Sequence, residues 1–223
     1  MQISQSHRKA AAWAAIAYIA IQSFQWYAFS VMPAEGTPEA SLLAGASTIN
    51  LARAMTMLSA FFFLFYLFLI TCATNVRRAP IASIAAFVGL FVFCLLEVVL
   101  RSIELFWVYL ALPAKFAAAD VAGRADILAL HETFYAVQGA VYFPLGLVQL
   151  IASVLLAATL RGPWSVWARA AFAINALRLG LRMLDVYVIG PKFDAVYDVL
   201  YLPLVYVVFG GIAVWLWKGR ETA

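Results

Sequence analysis

A chain of 223 residues that is 66% hydrophobic, 12% charged and has a mean hydropathy of +0.93 lies far from the roughly 45–50% apolar composition of soluble domains. The composition therefore excludes a soluble enzyme. It also excludes a nucleic-acid partner, because the net charge of +4 comes from Lys and Arg scattered at the ends of apolar runs, where membrane topology places them.

The expectation is an all-α, polytopic transmembrane bundle embedded in the lipid bilayer. No polar stretch is long enough to fold separately, so residues 1–223 form a single domain. The two cysteines, Cys72 and Cys94, fall at different depths of successive apolar runs, and no disulfide is expected.

His7, Arg8 and Lys9 lead into an apolar run over 10–32, long enough to span at about 20 residues. No cleavage-like small-residue pattern follows it, so it reads as a retained first span, with Gln22, Gln25 and Trp26 on one side. Residues 33–47 contain Glu35, Glu39, two prolines and two glycines and read as an irregular loop. The second span covers 48–73, with Asn50 and Arg53 near its start and an aromatic block over 61–68. A basic turn, Arg77-Arg78-Ala-Pro80, precedes a third span over 81–112, longer than a bilayer requires. Residues 113–126 read as a second loop.

The fourth span, 127–160, begins near His131 and Glu132, carries Gln138 and Gln149, and contains Pro144, where a kink is expected. Arg161-Gly-Pro163 restarts the chain into a fifth span, 164–188, holding Arg178, Arg182 and Asp185. The sixth, 194–217, starts near Asp198. Basic residues of the connections divide unevenly. Arg8, Lys9, Arg77, Arg78, Arg161, Arg169, Lys218 and Arg220 lie at one set of ends, and Lys115, Arg124 and Lys192 at the other. The excess places both termini in the cytoplasm and the protein in the inner (plasma) membrane.

Within the spans stands a set of charges. Glu97, Arg101 and Glu104 are spaced for i,i+4 and i,i+3 pairing on one helix face. A rise of 1.5 Å per residue puts Arg53 roughly 8 Å below the outer boundary and Glu97 roughly 24 Å from the cytoplasmic one. His131, Glu132, Arg182, Asp185 and Asp198 also favour the outer half, and Arg178 sits deeper. Intramembrane charges are costly and usually face a bundle interior or a wet cavity. Arg53, Glu97, Arg101, Glu104, Glu132, Arg178, Arg182 and Asp185 are therefore the candidate ligand-binding residues of an outward-facing pocket for a small polar or anionic ligand, in a transporter-like or sensing protein.

Arg178 and Arg182 carry the functional argument furthest. Like charges four apart repel unless carboxylates or an anionic ligand lie between them, and Arg101 and Arg182 are expected to converge there.

Two rival readings stand beside this one. His131 and Glu132 could act as acid and base of a membrane-embedded enzyme, or the charges could pair only with one another in a structural or partner-binding subunit. No cofactor is expected. Tyr135 stands where a zinc HExxH helix needs its second histidine, and the two histidines cannot ligate haem across the bundle. Homo-oligomerisation is left open. Ile49-Asn50-Leu-Ala-Arg53 is echoed by Ile174-Asn175-Ala-Leu-Arg178 on a span of opposite direction, as a three-plus-three inverted repeat would have it.

The short basic start, six spans, the span-embedded Arg101-Ser-Ile-Glu104 before an aromatic-rich end, and the turn Arg161-Gly-Pro-Trp-Ser-Val-Trp167 together resemble the DUF4386 group of bacterial six-span membrane proteins. The chain differs from that group in Glu97 and in its charged fifth span. The resemblance implies location and span count and carries no mechanism.

The charge asymmetry gives a topology prediction. A membrane-impermeant thiol probe on intact cells should label a cysteine placed at 120 and spare cysteines placed at 77 and 161. The opposite pattern would invert the topology.

Overall fold

The computed structural model describes residues 3–32 and 36–219. Its elements are α1 (Gln5–Val31), α2 (Pro38–Gly45), α3 (Thr48–Asn75), α4 (Pro80–Ile103), a π-helical segment (Glu104–Ala111), α5 (Leu112–Ala118), α6 (Val121–Thr159), α7 (Ser165–Leu184), a second π segment (Asp185–Ile189) and α8 (Asp194–Lys218). The described residues form helices without strands.

Four helical runs are long and apolar enough to cross a membrane: Thr48–Asn75, Pro80–Ala118, Val121–Thr159 and Asp194–Lys218. Their outward faces agree with that. On α4, Ile84, Val88, Phe91, Leu95 and Val99 are exposed at helical spacing, while Ala86, Leu90, Phe93, Glu97 and Leu100 are buried. An apolar stripe this long is at home against lipid and out of place against water.

Several boundaries differ from the sequence expectation, each for a local reason. Residues 38–45 are helical because Thr37 Oγ1 caps the Ala40 amide (3.1 Å) and Pro38 is preset for a first turn. Helix α6 starts at Val121, inside the expected loop, because Asp120 Oδ1 accepts from the Gly123 amide (2.8 Å). The third run continues to Ala118, since the π segment hands over to α5 with Pro113 in its first turn. Helix α6 continues through Pro144 and α8 through Pro203. Glu35 and Arg220 lie outside the described residues.

The main packing partners close a ring: α1 on α3, α3 on α4, α4 on α6, α6 on α7, α7 on α8, and α8 back on α1. Short connections make successive members antiparallel, so the basic ends gather at one end of the ring. There Gln5 Nε2 donates to Trp217 O (3.2 Å), Arg8 Nη2 to Trp215 O (3.3 Å), Asn75 Nδ2 to Thr159 Oγ1 (2.9 Å) and Arg169 Nε to Ala157 O (3.0 Å).

That end of the ring interior, and its middle, are filled by one apolar cluster that includes Leu64, Leu67, Leu90, Leu156, Phe172, Ile212 and Leu216. Cys72 and Cys94 are free and buried in it. At the opposite end the interior is polar.

Helices α4 and α6 approach each other closely within the apolar cluster. A Cβ on Gly89 would lie 3.0 Å from Val148 O, whereas one on Gly139 would meet nothing within 4 Å. Gly89→Leu should therefore wedge α4 from α6 at a cost of about 1–3 kcal/mol. Gly139→Ala should be neutral or stabilising by about 0.5–1 kcal/mol. Thermal unfolding of the two purified variants separates these outcomes.

Candidate functional site

Burying an arginine in an apolar bundle requires acceptors for its N–H groups. Arg101 Nη1 donates to Glu104 Oε2 (2.7 Å), Nε to Glu97 Oε2 (3.2 Å), and Nη2 to the Tyr142 hydroxyl of α6 (3.1 Å). The triad expected on one face is therefore formed, and it is tied to a second helix.

Glu104 also opens the π segment, and this matters for its second partner. In an α-helix five residues turn through about 500°, leaving their side chains about 140° apart. The wider π turn brings Tyr109 round, and its hydroxyl donates to Glu104 Oε1 at 2.7 Å. The same hydroxyl accepts from Arg53 Nη2 of α3 (3.1 Å). Arg53 Nε donates to Asn50 Oδ1 (2.8 Å), and Asn50 Nδ2 to Gly45 O (2.7 Å). One chain of hydrogen bonds thus runs from α2 through α3 and the π segment to α4 and α6.

These groups line a cavity of about 490 Å³, with Gln25, Phe29 and Met32 from α1, Ser41 from α2, and Tyr135 and Gln138 from α6. They stand on one level. Counting 1.5 Å per residue from the basic end of each helix, Gln25, Arg53, Arg101 and Gln138 all lie roughly 30–33 Å along it, about the thickness of a hydrocarbon core. The cavity therefore opens where the bilayer's polar region would begin.

The two arginines that line it are held differently. Arg101 is saturated by two carboxylates. Arg53 is buried, 3% exposed, and has no carboxylate within ion-pair distance among the described residues. Its guanidinium instead lies over the Phe29 ring (4.7 Å) and near the Tyr109 ring (5.8 Å), contacts that leave it free to face an anion.

Arg178 and Arg182 line a second cavity of about 340 Å³, with Trp26, Tyr197, Asp198, Tyr201 and Leu204. The expected convergence of Arg101 with Arg182 is corrected here. Arg101 lines the first cavity and Arg182 the second, and the two cavities share Gln25 and Phe29 of α1 in their walls.

Arg182 pairs with Asp185 (3.4 Å) and with Asp194, and lies over the Tyr197 ring. Asp185 Oδ1 also accepts from the Lys192 amide (3.0 Å). Arg178 has no carboxylate partner within ion-pair distance among the described residues, and donates to Asn175 Oδ1 (3.1 Å). The echoed Asn-x-x-Arg pairs make the same local bond in α3 and α7. Yet Arg53 lies roughly 8 Å from the N-terminal end of its helix while Arg178 lies roughly 20 Å from the N-terminal end of its own. An inverted repeat would equate those depths, so the echo is local.

Glu132 is exposed and lines neither cavity, whereas His131 is buried with its ring 4.9 Å from that of Tyr135. Neighbours in a helix point about 100° apart, and here this takes the carboxylate away from the histidine's side. Sequence reasoning missed Tyr109, Gln138 and Tyr142. Tyr109 looked like an interface aromatic, and nothing in the apolar periodicity announces a π turn.

Removing one partner of a buried pair costs about 3–5 kcal/mol. Glu104→Ala, which strands both Arg101 and Tyr109, should show the largest fall in thermal stability. Glu97→Ala should cost less, because Arg101 keeps Glu104, and Glu132→Ala should stay near wild type. Equal shifts for Glu104→Ala and Glu132→Ala would mean that the triad is solvated.

No protein-family model, curated protein or solved structure matches the chain.

Proposed function

We propose that this is a six-span protein of the inner membrane, with both termini in the cytoplasm, that takes a small polar or anionic solute into its outer cavity as the binding step of transport or sensing. The observation that carries the reading is Arg53, a buried guanidinium facing a 490 Å³ cavity with no carboxylate within ion-pair distance among the described residues. The volume falls in the range of about 300–1,000 Å³ common for small-molecule sites.

The closed ring supports the six-span reading. Helices α1 and α7 carry more polar residues than the other four members, but each is flanked by two apolar neighbours in a closed ring, and a ring of alternating direction crosses the bilayer as a unit. The orientation rests on the basic end, which is also the end packed shut by apolar side chains.

The self-paired structural reading fits Arg101 and Arg182, which their carboxylates saturate, and fails to account for Arg53 and Arg178. The acid/base reading needs Glu132 beside His131, and Glu132 is exposed and lines neither cavity.

A thermal-shift screen of the purified protein against small organic anions, amino acids, sugars and amines tests the proposal. At least one solute should stabilise wild type. Arg53→Gln should abolish that stabilisation. Arg53→Lys should weaken it while keeping the fold, because an ammonium does not reproduce the guanidinium fork. Arg182→Lys should leave it largely intact. A screen with no stabilising solute, or stabilisation indifferent to Arg53, overturns the proposal.

A further inference from the structure

Resting on that reading of the cavity, its charge balance narrows the ligand class. The buried groups of the Arg53 cavity and its hydrogen-bonded network are two guanidiniums, Arg53 and Arg101, and two carboxylates, Glu97 and Glu104. They cancel in sum but not in place. Arg53 is a lone positive pole on α3. Arg101 with its two carboxylates makes a pole of one net negative charge on α4, separated from Arg53 by the Tyr109 hydroxyl.

A simple anion would satisfy the first pole and leave the closed site with an excess negative charge. A simple amine would satisfy the second and leave an excess positive one. Each excess is penalised where water is scarce.

The neutral polar groups of the same walls show the same duality. Gln138 is 6% exposed, and its Nε2 is an enclosed donor with no partner among the described residues. Gln25 Oε1 is an enclosed acceptor with none. Both residues line this cavity. Enclosed polar atoms are normally hydrogen-bonded, and an unpartnered donor and an unpartnered acceptor on two wall residues of one cavity suit a ligand that both accepts and donates. Glu104 also keeps capacity, since its two bonds from Arg101 and Tyr109 use about half of a carboxylate's roughly four acceptor sites.

We infer that the ligand of the Arg53 cavity is a small zwitterion of the amino-acid class, whose carboxylate is held by Arg53 and whose ammonium group faces Glu104 and the Gln25 carbonyl. The Gln138 amide supplies a further donor to the ligand's oxygens.

The experiment measures binding by thermal shift and calorimetry on the full-length purified protein with matched sets: each protein α-amino acid and 4-aminobutyrate, and for each the carboxylic acid lacking the nitrogen and the amine lacking the carboxylate. At least one zwitterion should bind roughly tenfold or more tightly than both of its singly charged analogues, since each analogue leaves one pole unmatched. In Glu104→Gln, which keeps an acceptor at that position, the preference over the carboxylic acid should vanish while binding of the acid persists. Should Glu104→Gln fail to fold, Gln25→Met removes an acceptor without touching the charges and should reduce the same preference.

If a carboxylic acid binds as well as its zwitterion, the zwitterion assignment is overturned while solute binding at Arg53 stands. If no member of the sets binds, the assignment is likewise overturned. The broader Arg53-dependent screen then decides separately whether the cavity binds any solute.

Discussion

The polar half of this molecule depends on the placement of Arg101 between Glu97 and Glu104. A guanidinium inside an apolar bundle is tolerable only when its donors are met, and here two carboxylates of its own helical run and a tyrosine of α6 meet them. Because Glu104 has accepting capacity left, it also holds Tyr109, and Tyr109 in turn meets Arg53. Four elements of the bundle are thereby pinned at one level by groups that apolar packing alone would not specify.

The same device occurs twice. In α4 and in α7 an arginine is followed three residues later by an acidic residue, and that acidic residue begins a π segment. The widened turn redirects the side chains beyond it, bringing Tyr109 to Glu104 in the first case and Tyr187 to α6 in the second, where its hydroxyl donates to Gly139 O (2.9 Å). Single π segments are rare in helices and gather at functional sites. The first supplies Glu104 and Tyr109 to a cavity wall, so there the irregular backbone and the buried charge are parts of one arrangement.

The ring supplies the contrast that makes the cavity meaningful. Its basic end is closed by apolar packing and by side chains bonded to backbone carbonyls of neighbouring helices. Its other end leaves Arg53 and Arg178 without carboxylates among the described residues, one facing each cavity. Self-pairing of the intramembrane charges therefore describes half of the arginines, and the other half face space.

The amino-acid sequence by itself determined that this is a helical membrane protein, where most of the helices run, and that Glu97, Arg101 and Glu104 pair on one face. All of these follow from local quantities: apolar run length, helical spacing and charge sign. Only the tertiary structure decided that Arg101 lines one cavity and Arg182 another, because which side chains share a wall depends on how the helices pack. It also decided the roles of Tyr109, Gln138 and Tyr142. A tyrosine or glutamine in an apolar run reads alike whether it faces lipid, a neighbour or a cavity, and the π turn that aims Tyr109 leaves no mark on hydrophobic periodicity. The lone status of Arg53 was hidden for a related reason. Counting charges along the chain balances them in sum, whereas ion pairing requires contact within about 4 Å, and contact is set by the fold.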